Sequence, residues 1–204
     1  MSLRICGMWS NAKYEILAAK MKASVEALGY PVSLYKIDHW PDEATAWGFA
    51  LRHKPIVVER CMTEFPQDDI LYMDADTVMV EHPRLVLEDK TCDVAMNFIR
   101  PHHPHGCVMF FRGSKGLQFV RKWRESYDLY PHIILDEVHA YYALKEAQRI
   151  PGFRMLPLPF SYTWIPMTAG KVYPTAKPVI IHNAEGRGPD KGTVLREAAF
   201  HLPV

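Results

Sequence analysis

The apolar positions of this chain alternate between short runs and helical spacings. Leu3–Trp9 (LRICGMW) is a short apolar strand, and Ser10 and Asn11 after it are good N-cap residues. Across the next stretch Leu17, Met21, Val25 and Leu28 recur at helical spacing, while Lys13, Lys20, Lys22 and Glu26 take the other faces. Gly29 and Pro31 end that helix. Val32–Asp38 (VSLYKID) reads as a second strand, so the chain opens as β-α-β with a helical crossover, the unit of a parallel sheet.

Further along, DEATAWGFALRHK (Asp42–Lys54) reads as helical. PIVVERCMTEF (Pro55–Phe65) reads as a separate helix with Pro55 at its first position, although its β-branched residues weigh against it. Strands follow at DILYMD, CDVAMNFI and CVMFFR, then helices from Ser114 and from Asp136, then two late strands, FRMLPL and PVIIH. The Pro- and Gly-rich stretches 100–106, 157–178 and 184–192 read as loops. Without an internal repeat or linker, residues 1–204 form one domain of the α/β class. Its expected architecture is a mostly parallel central sheet with flanking helices.

In such sheets ligands bind outside the carboxyl ends of the strands. Asp74, Asp76, Asn97 and His182 all fall at such ends. Two carboxylates one residue apart suit a hard divalent cation that shares its shell with substrate phosphates. In an extended segment Asp74 and Asp76 point the same way and Ala75 points to the other face. A histidine in the set favours Mn²⁺ over Mg²⁺.

Composition narrows the partners. Lys plus Arg is 24 and Asp plus Glu is 23, so nothing in the bulk charge attracts nucleic acid or anionic lipid, and a bound anion needs a local site. No stretch approaches the roughly 20 apolar residues of a membrane span. The N-terminal apolar run is too short for a signal peptide, and the expected location is cytoplasmic. Cys6, Cys61, Cys92 and Cys107 are widely spaced with no CxxC pair, which argues against zinc and against a disulfide framework. Cys6, Cys92 and Cys107 read as small core residues of a reducing compartment. His102, His103 and His105 lie in a Pro-rich stretch that suits an acceptor-side loop better than a metal site.

DILYMDADTVMV resembles the signature of GT-A glycosyltransferases, which use nucleotide-diphosphate sugars. The resemblance runs in order along most of the chain. ALRHKPIVVERCMTEFP is similar to the basic helical segment before the Asp-x-Asp strand, and GCVMFFRGSKGLQFVRKW to the later strand and Trp-bearing helix. LDEVHAYYAL is similar to the Asp-Gln or Asp-Glu helix start, and PVIIHNAEGRG to the closing strand of the glycogenin and lipopolysaccharide-galactosyltransferase groups.

The resemblance implies a metal held by Asp74, Asp76 and His182. It implies Arg52 and Lys54 near the donor phosphate or sugar, and Asp136 and Glu137 facing the transferred sugar or the acceptor, as candidate bases. Gly7, Met8 and Trp9 would lie under the nucleotide base, with Asp38 a weaker candidate. Arg187 or Lys191 would reach the diphosphate, although Gly186 is displaced by one from the family's HxxGxxK pattern. The implied activity is transfer of a sugar, with retention, from a donor (UDP by default) to a glycan or other hydroxyl acceptor, with Mn²⁺ or Mg²⁺. Further domains could belong to a longer chain. Two alternatives compete: a haloacid-dehalogenase-like Mg²⁺ phosphatase with Asp74 as nucleophile, and a non-catalytic sugar-nucleotide-binding module.

Overall fold

The computed structural model describes residues 2–38, 43–100, 102–166 and 176–182. β1 (Leu3–Trp9), α1 (Ala12–Glu26) and β2 (Val32–Lys36) form the expected opening unit, with β1 and β2 parallel. The Asn11 side chain accepts the Tyr14 amide at the start of α1, and Gly29, at φ 82°, takes the left-handed conformation that ends the helix.

α2 (Glu43–Glu64) is one helix and runs straight through Pro55, where two helices were expected. Proline removes the N–H that Leu51 C=O would otherwise accept. The Tyr127 hydroxyl, 3.1 Å away, supplies the missing donor. β3 (Asp69–Met73) follows, then β4 (Thr77–Met79), the short α3 (Arg84–Glu88), β5 (Val94–Arg100) and β6 (His103–Phe111). The chain continues with α4 (Gly113–Leu129), α5 (Asp136–Ala147), β7 (Met155–Leu158), a 3-10 turn (Phe160–Tyr162) and β8 (Ile180–His182).

The central sheet has six strands in the order β2-β1-β3-β6-β5-β7. β1 is parallel to β2 and β3, and β5 is parallel to β7. β6 runs antiparallel to both of its neighbours, β3 and β5. The cause is the short link between Arg100 and His103: antiparallel strands can be joined by a hairpin, whereas parallel ones need a crossover. The expected loop at 100–106 is therefore mostly strand. Its ladder with β5 is irregular. Between the pairs Met96–Met109 and Phe98–Pro104, β5 contributes Asn97 alone while β6 contributes His105, Gly106, Cys107 and Val108. Such bulges re-aim side chains.

β4 and β8 form a second, two-stranded antiparallel sheet, with Thr77 opposite His182. This register carries the end of the last described strand to the Asp-x-Asp segment. Trp164 is buried and locks β8 in place, its amide donating to Ile180 C=O and its carbonyl accepting from His182 N–H.

β3 is buried throughout and divides the core. Ile70 and Tyr72 point to a cluster with Val58 of α2, Trp123 of α4 and Ala140 of α5, while Leu71 and Met73 point to the α1 side with Met21 and Ile180. The site grows from the end of this strand. No helix among the described residues is long and apolar enough to cross a membrane.

Candidate active site

Asp74 and Asp76 sit in a turn and not in the expected extended segment. Asp74 C=O accepts both the Thr77 amide, at 3.1 Å, and the Thr77 hydroxyl, at 2.7 Å. The turn buries Ala75 and reverses the chain into β4. The two carboxylates converge because the backbone folds, and Thr77 is the residue that folds it.

His182 is 4% exposed and reaches the same place from β8. Its Nε2 lies 3.3 Å from Asp76 Oδ1. One candidate ligand atom from each of Asp74, Asp76 and His182 lies within 4.8 Å of the other two. His182 Nδ1 is buried with no hydrogen-bond partner among the described residues. Burial opposes ionisation of Asp76, but the hydrogen bond and charge of His182 prevail and lower its pKa. Asp74 is pushed the other way. Burial raises its pKa, and the repulsion of Asp76 adds to this against the pull of Lys54.

Lys54 is a strut between carboxylates. Its Nζ donates to Asp136 Oδ2 at 2.7 Å, to the Asp74 carboxylate at 3.1 Å and to Gly106 C=O at 3.3 Å. An ammonium has three protons, and all three are taken, so none is left for a donor phosphate in this arrangement. Burial works against the charge, yet Asp136 and Asp74 outweigh it and hold the Lys54 pKa well above that of free lysine. Lys54 thus organises the Asp74 and Asp136 carboxylates.

Asp136 opens α5 at 2% exposure, where the helix dipole favours a carboxylate. The approach of its helix is fixed by buried His139, which bonds Ser126 Oγ and Ile133 C=O at 3.0 Å each and stacks on Tyr127. Burial opposes ionisation of Asp136, and Lys54 overcomes it and lowers the pKa. Glu137 beside it is held well above the ordinary carboxyl range by burial and by the Asp136 charge. Gly106 has a steric reason to be glycine, because a Cβ there would collide with the Asp136 carboxylate.

The other expected site residues are placed as follows. Arg52 turns toward α4, where it donates to Asp128 and lies over the Tyr127 ring, so its guanidinium is engaged away from the Asp pair. Gly7 is a packing glycine: a Cβ would lie 2.6 Å from Met21 Cε and 3.0 Å from Met73 O. Met8 is buried in the core, and Trp9 is half-buried with Lys36 Nζ 5.4 Å from its ring centre. Asp38 is exposed, pairs with Lys36 at 3.4 Å and borders a cleft of about 270 Å³ between the end of β2 and α2, with Ile37, Phe49 and His53. Asn97 is buried and ties β5 to β7 through Leu158 C=O at 2.7 Å. Arg187 and Lys191 lie outside the described residues.

Three residues join the site that sequence reasoning did not place there. Tyr72 donates its hydroxyl to Asp74 at 2.9 Å. Strand alternation two residues before Asp74 was the available signal. His105 and Cys107 lie beside His182, brought there by the irregular pairing of β6, which no local pattern announces.

No protein-family model matches the chain, and no curated protein matches it. Among solved structures it is similar to a glycosyltransferase involved in glycosylation of the major capsid of PBCV-1. The identity is 16% and the TM-score 0.64, covering 98% of this chain and 100% of that one. It is also similar to the galactosyltransferase LgtC, solved with donor and acceptor sugar analogues. There the identity is 13% and the TM-score 0.54, covering 98% of this chain and 96% of that one. Likeness over nearly the whole length at such low identity is likeness of fold, and this chain carries the GT-A-like fold of glycosyltransferases.

Proposed function

We propose that this chain is a hexosyltransferase that moves a sugar from a UDP donor to a hydroxyl acceptor, with a divalent cation at Asp74, Asp76 and His182. The observation that carries the reading is the meeting of these three side chains at the carboxyl end of β3. Their chemistry fits a cation. Asp74, Asp76 and Asp136 bring more negative charge than Lys54 offsets, and an imidazole beside two carboxylates suits Mn²⁺ better than Mg²⁺. Bound there, the ion would supply Lewis-acid charge to the donor diphosphate.

The protein's own groups act by placement. Tyr72 and Lys54 hold the Asp74 carboxylate from one side, and Thr77 holds its carbonyl, so the acids need little reorganisation when a donor arrives. The cleft beside Asp38 offers a place for the nucleobase. Retention fits the first acid of α5. Asp136 is paired to Lys54 with its pKa lowered, which makes it a poor base. The departing phosphate oxygen can accept the acceptor proton instead.

The direct test is thermal unfolding of the chain with UDP-hexoses, with and without Mn²⁺. A ligand that binds only the folded state raises the melting temperature. We expect a rise that needs both ligands and is lost in Asp74→Asn and Asp76→Asn. Indifference to every nucleotide-sugar in the presence of Mn²⁺ would overturn the reading. Nothing among the described residues favours a phosphatase, and the Asp74 carboxylate that would be its nucleophile is held by hydrogen bonds from Lys54 and Tyr72.

A further inference from the structure

The geometry points to a second metal site, softer than the first, made by His105, Cys107 and His182 and suited to Zn²⁺. It rests on the reading of His182 as a ligand and adds a competing partner for it. One candidate ligand atom from each of the three lies within 4.8 Å of the others. All three are nearly inaccessible, at 5%, 2% and 4% exposure. The His105 and His182 rings meet edge to face, with centres 5.7 Å apart. His182 Nδ1 is buried without a hydrogen-bond partner among the described residues, which is the kind of atom a ligand satisfies.

The backbone keeps the two donor sets side by side. Asp74 N–H donates to Cys107 C=O at 2.9 Å, so the thiol is anchored next to the acidic turn. Cys107 N–H donates to His105 Nδ1 at 3.3 Å in the metal-free chain, a bond that is given up when the His105 ring ligates an ion. Gly106 between them faces Asp136. The residues of the bulge thus serve the Lys54–Asp136 pair on one side and His182 on the other.

Ligand type separates the sites. Two carboxylates and an imidazole suit Mn²⁺, whereas a thiolate and two imidazoles suit Zn²⁺. With Zn–S near 2.3 Å and Zn–N near 2.1 Å, the ligand atoms of a tetrahedral site stand about 3.5 Å apart, so the side chains need to close by no more than about 1.3 Å. Binding replaces the Cys107 S–H bond with an S–Zn bond and releases the proton to solvent. A neutral imidazole has one lone pair for one ion, and a second ion on the other nitrogen would have to strip the remaining ring proton. Zn²⁺ at His105, Cys107 and His182 therefore withdraws His182 from the Asp pair and suppresses Mn²⁺-dependent donor binding.

Inhibition by Zn²⁺ alone would not locate the ion, because Zn²⁺ also outbinds Mn²⁺ at an oxygen-rich set. Co²⁺ gives a sulfur-specific readout. Added to the reduced, metal-free full chain, Co²⁺ is expected to produce a near-ultraviolet sulfur-to-cobalt absorption band that Zn²⁺ abolishes. The band should persist in Asp76→Asn and vanish in Cys107→Ser. His105→Ala should weaken Co²⁺ by at least about tenfold. Absence of the band in the unmodified protein overturns the proposal and requires no variant to fold. A band that survives Cys107→Ser overturns it as well, since it would arise from Cys6, Cys61 or Cys92. Mn²⁺-dependent UDP-hexose binding by the same preparation is scored separately, so loss of the transferase reading is not mistaken for loss of the zinc site.

Discussion

Lys54 Nζ meets Asp136 Oδ2 at 2.7 Å, joining the middle of α2 to the first residue of α5 in a space almost closed to water. The pair holds the two helices that flank the end of β3 and gives Asp74 its second partner. Breaking a buried pair from one side leaves an uncompensated charge, at a cost of about 3–5 kcal/mol. Lys54→Met is therefore expected to destabilise the fold by that amount at neutral pH, as measured by denaturant unfolding. The loss should shrink in acid. Asp136 has a pKa lowered below 3.8, so the stability it contributes is present above that value and lost as pH falls through its folded pKa.

Gly106→Ala tests the same junction from the backbone. A methyl there meets the Asp136 carboxylate, which must shift and loosen its hold on Lys54. Overpacking of this kind costs about 1–3 kcal/mol. We expect that loss in thermal unfolding together with weaker Mn²⁺-dependent donor binding. Unchanged stability would mean that Asp136 yields freely.

Glu137→Gln should change how stability depends on pH. A carboxyl whose pKa is raised by folding contributes stability that is whole below its unfolded value, here 4.5, and lost as pH rises through the folded value. The amide cannot ionise. The variant should match the parent near pH 4 and melt higher than the parent on the alkaline side, by about 2–4 °C for each kcal/mol recovered. Parallel pH profiles would show that Glu137 ionises without penalty.

Tyr72→Phe removes one donor from Asp74 while keeping the ring in the core. The expected cost is about 1–2 kcal/mol in unfolding, because a buried carboxylate loses a hydrogen bond. Donor binding should weaken and not vanish, since Lys54 still holds Asp74.

What the sequence made legible was the part written in local pattern. The β1-α1-β2 opening follows from helical spacing, a cap and a stop, and Asp74, Asp76 and His182 stand out at strand ends. What it concealed depends on contacts across the fold. α2 passes Pro55 only because Tyr127, on another helix, reaches the stranded carbonyl of Leu51. The acidic pair turns because Thr77 bonds back to Asp74, a choice that Asp-x-Asp-Thr leaves open. β6 lies between β3 and β5 in reverse, and its bulge brings His105, from a presumed loop, and Cys107, a core residue as expected, beside His182. Arg52 and Lys54 looked alike as basic residues two apart. Burial decides between them, sending Arg52 to Asp128 and Lys54 to the acids.

The most direct measurement is Mn²⁺ binding followed by electron paramagnetic resonance in the presence of UDP-hexose. It should be made on the parent chain and on Asp74→Asn, Asp76→Asn and His182→Ala. We expect one Mn²⁺ per chain in the parent, none held by either aspartate variant, and affinity reduced by at least about tenfold without the imidazole. Equal Mn²⁺ uptake by all four proteins would contradict a cation site at the turn after β3.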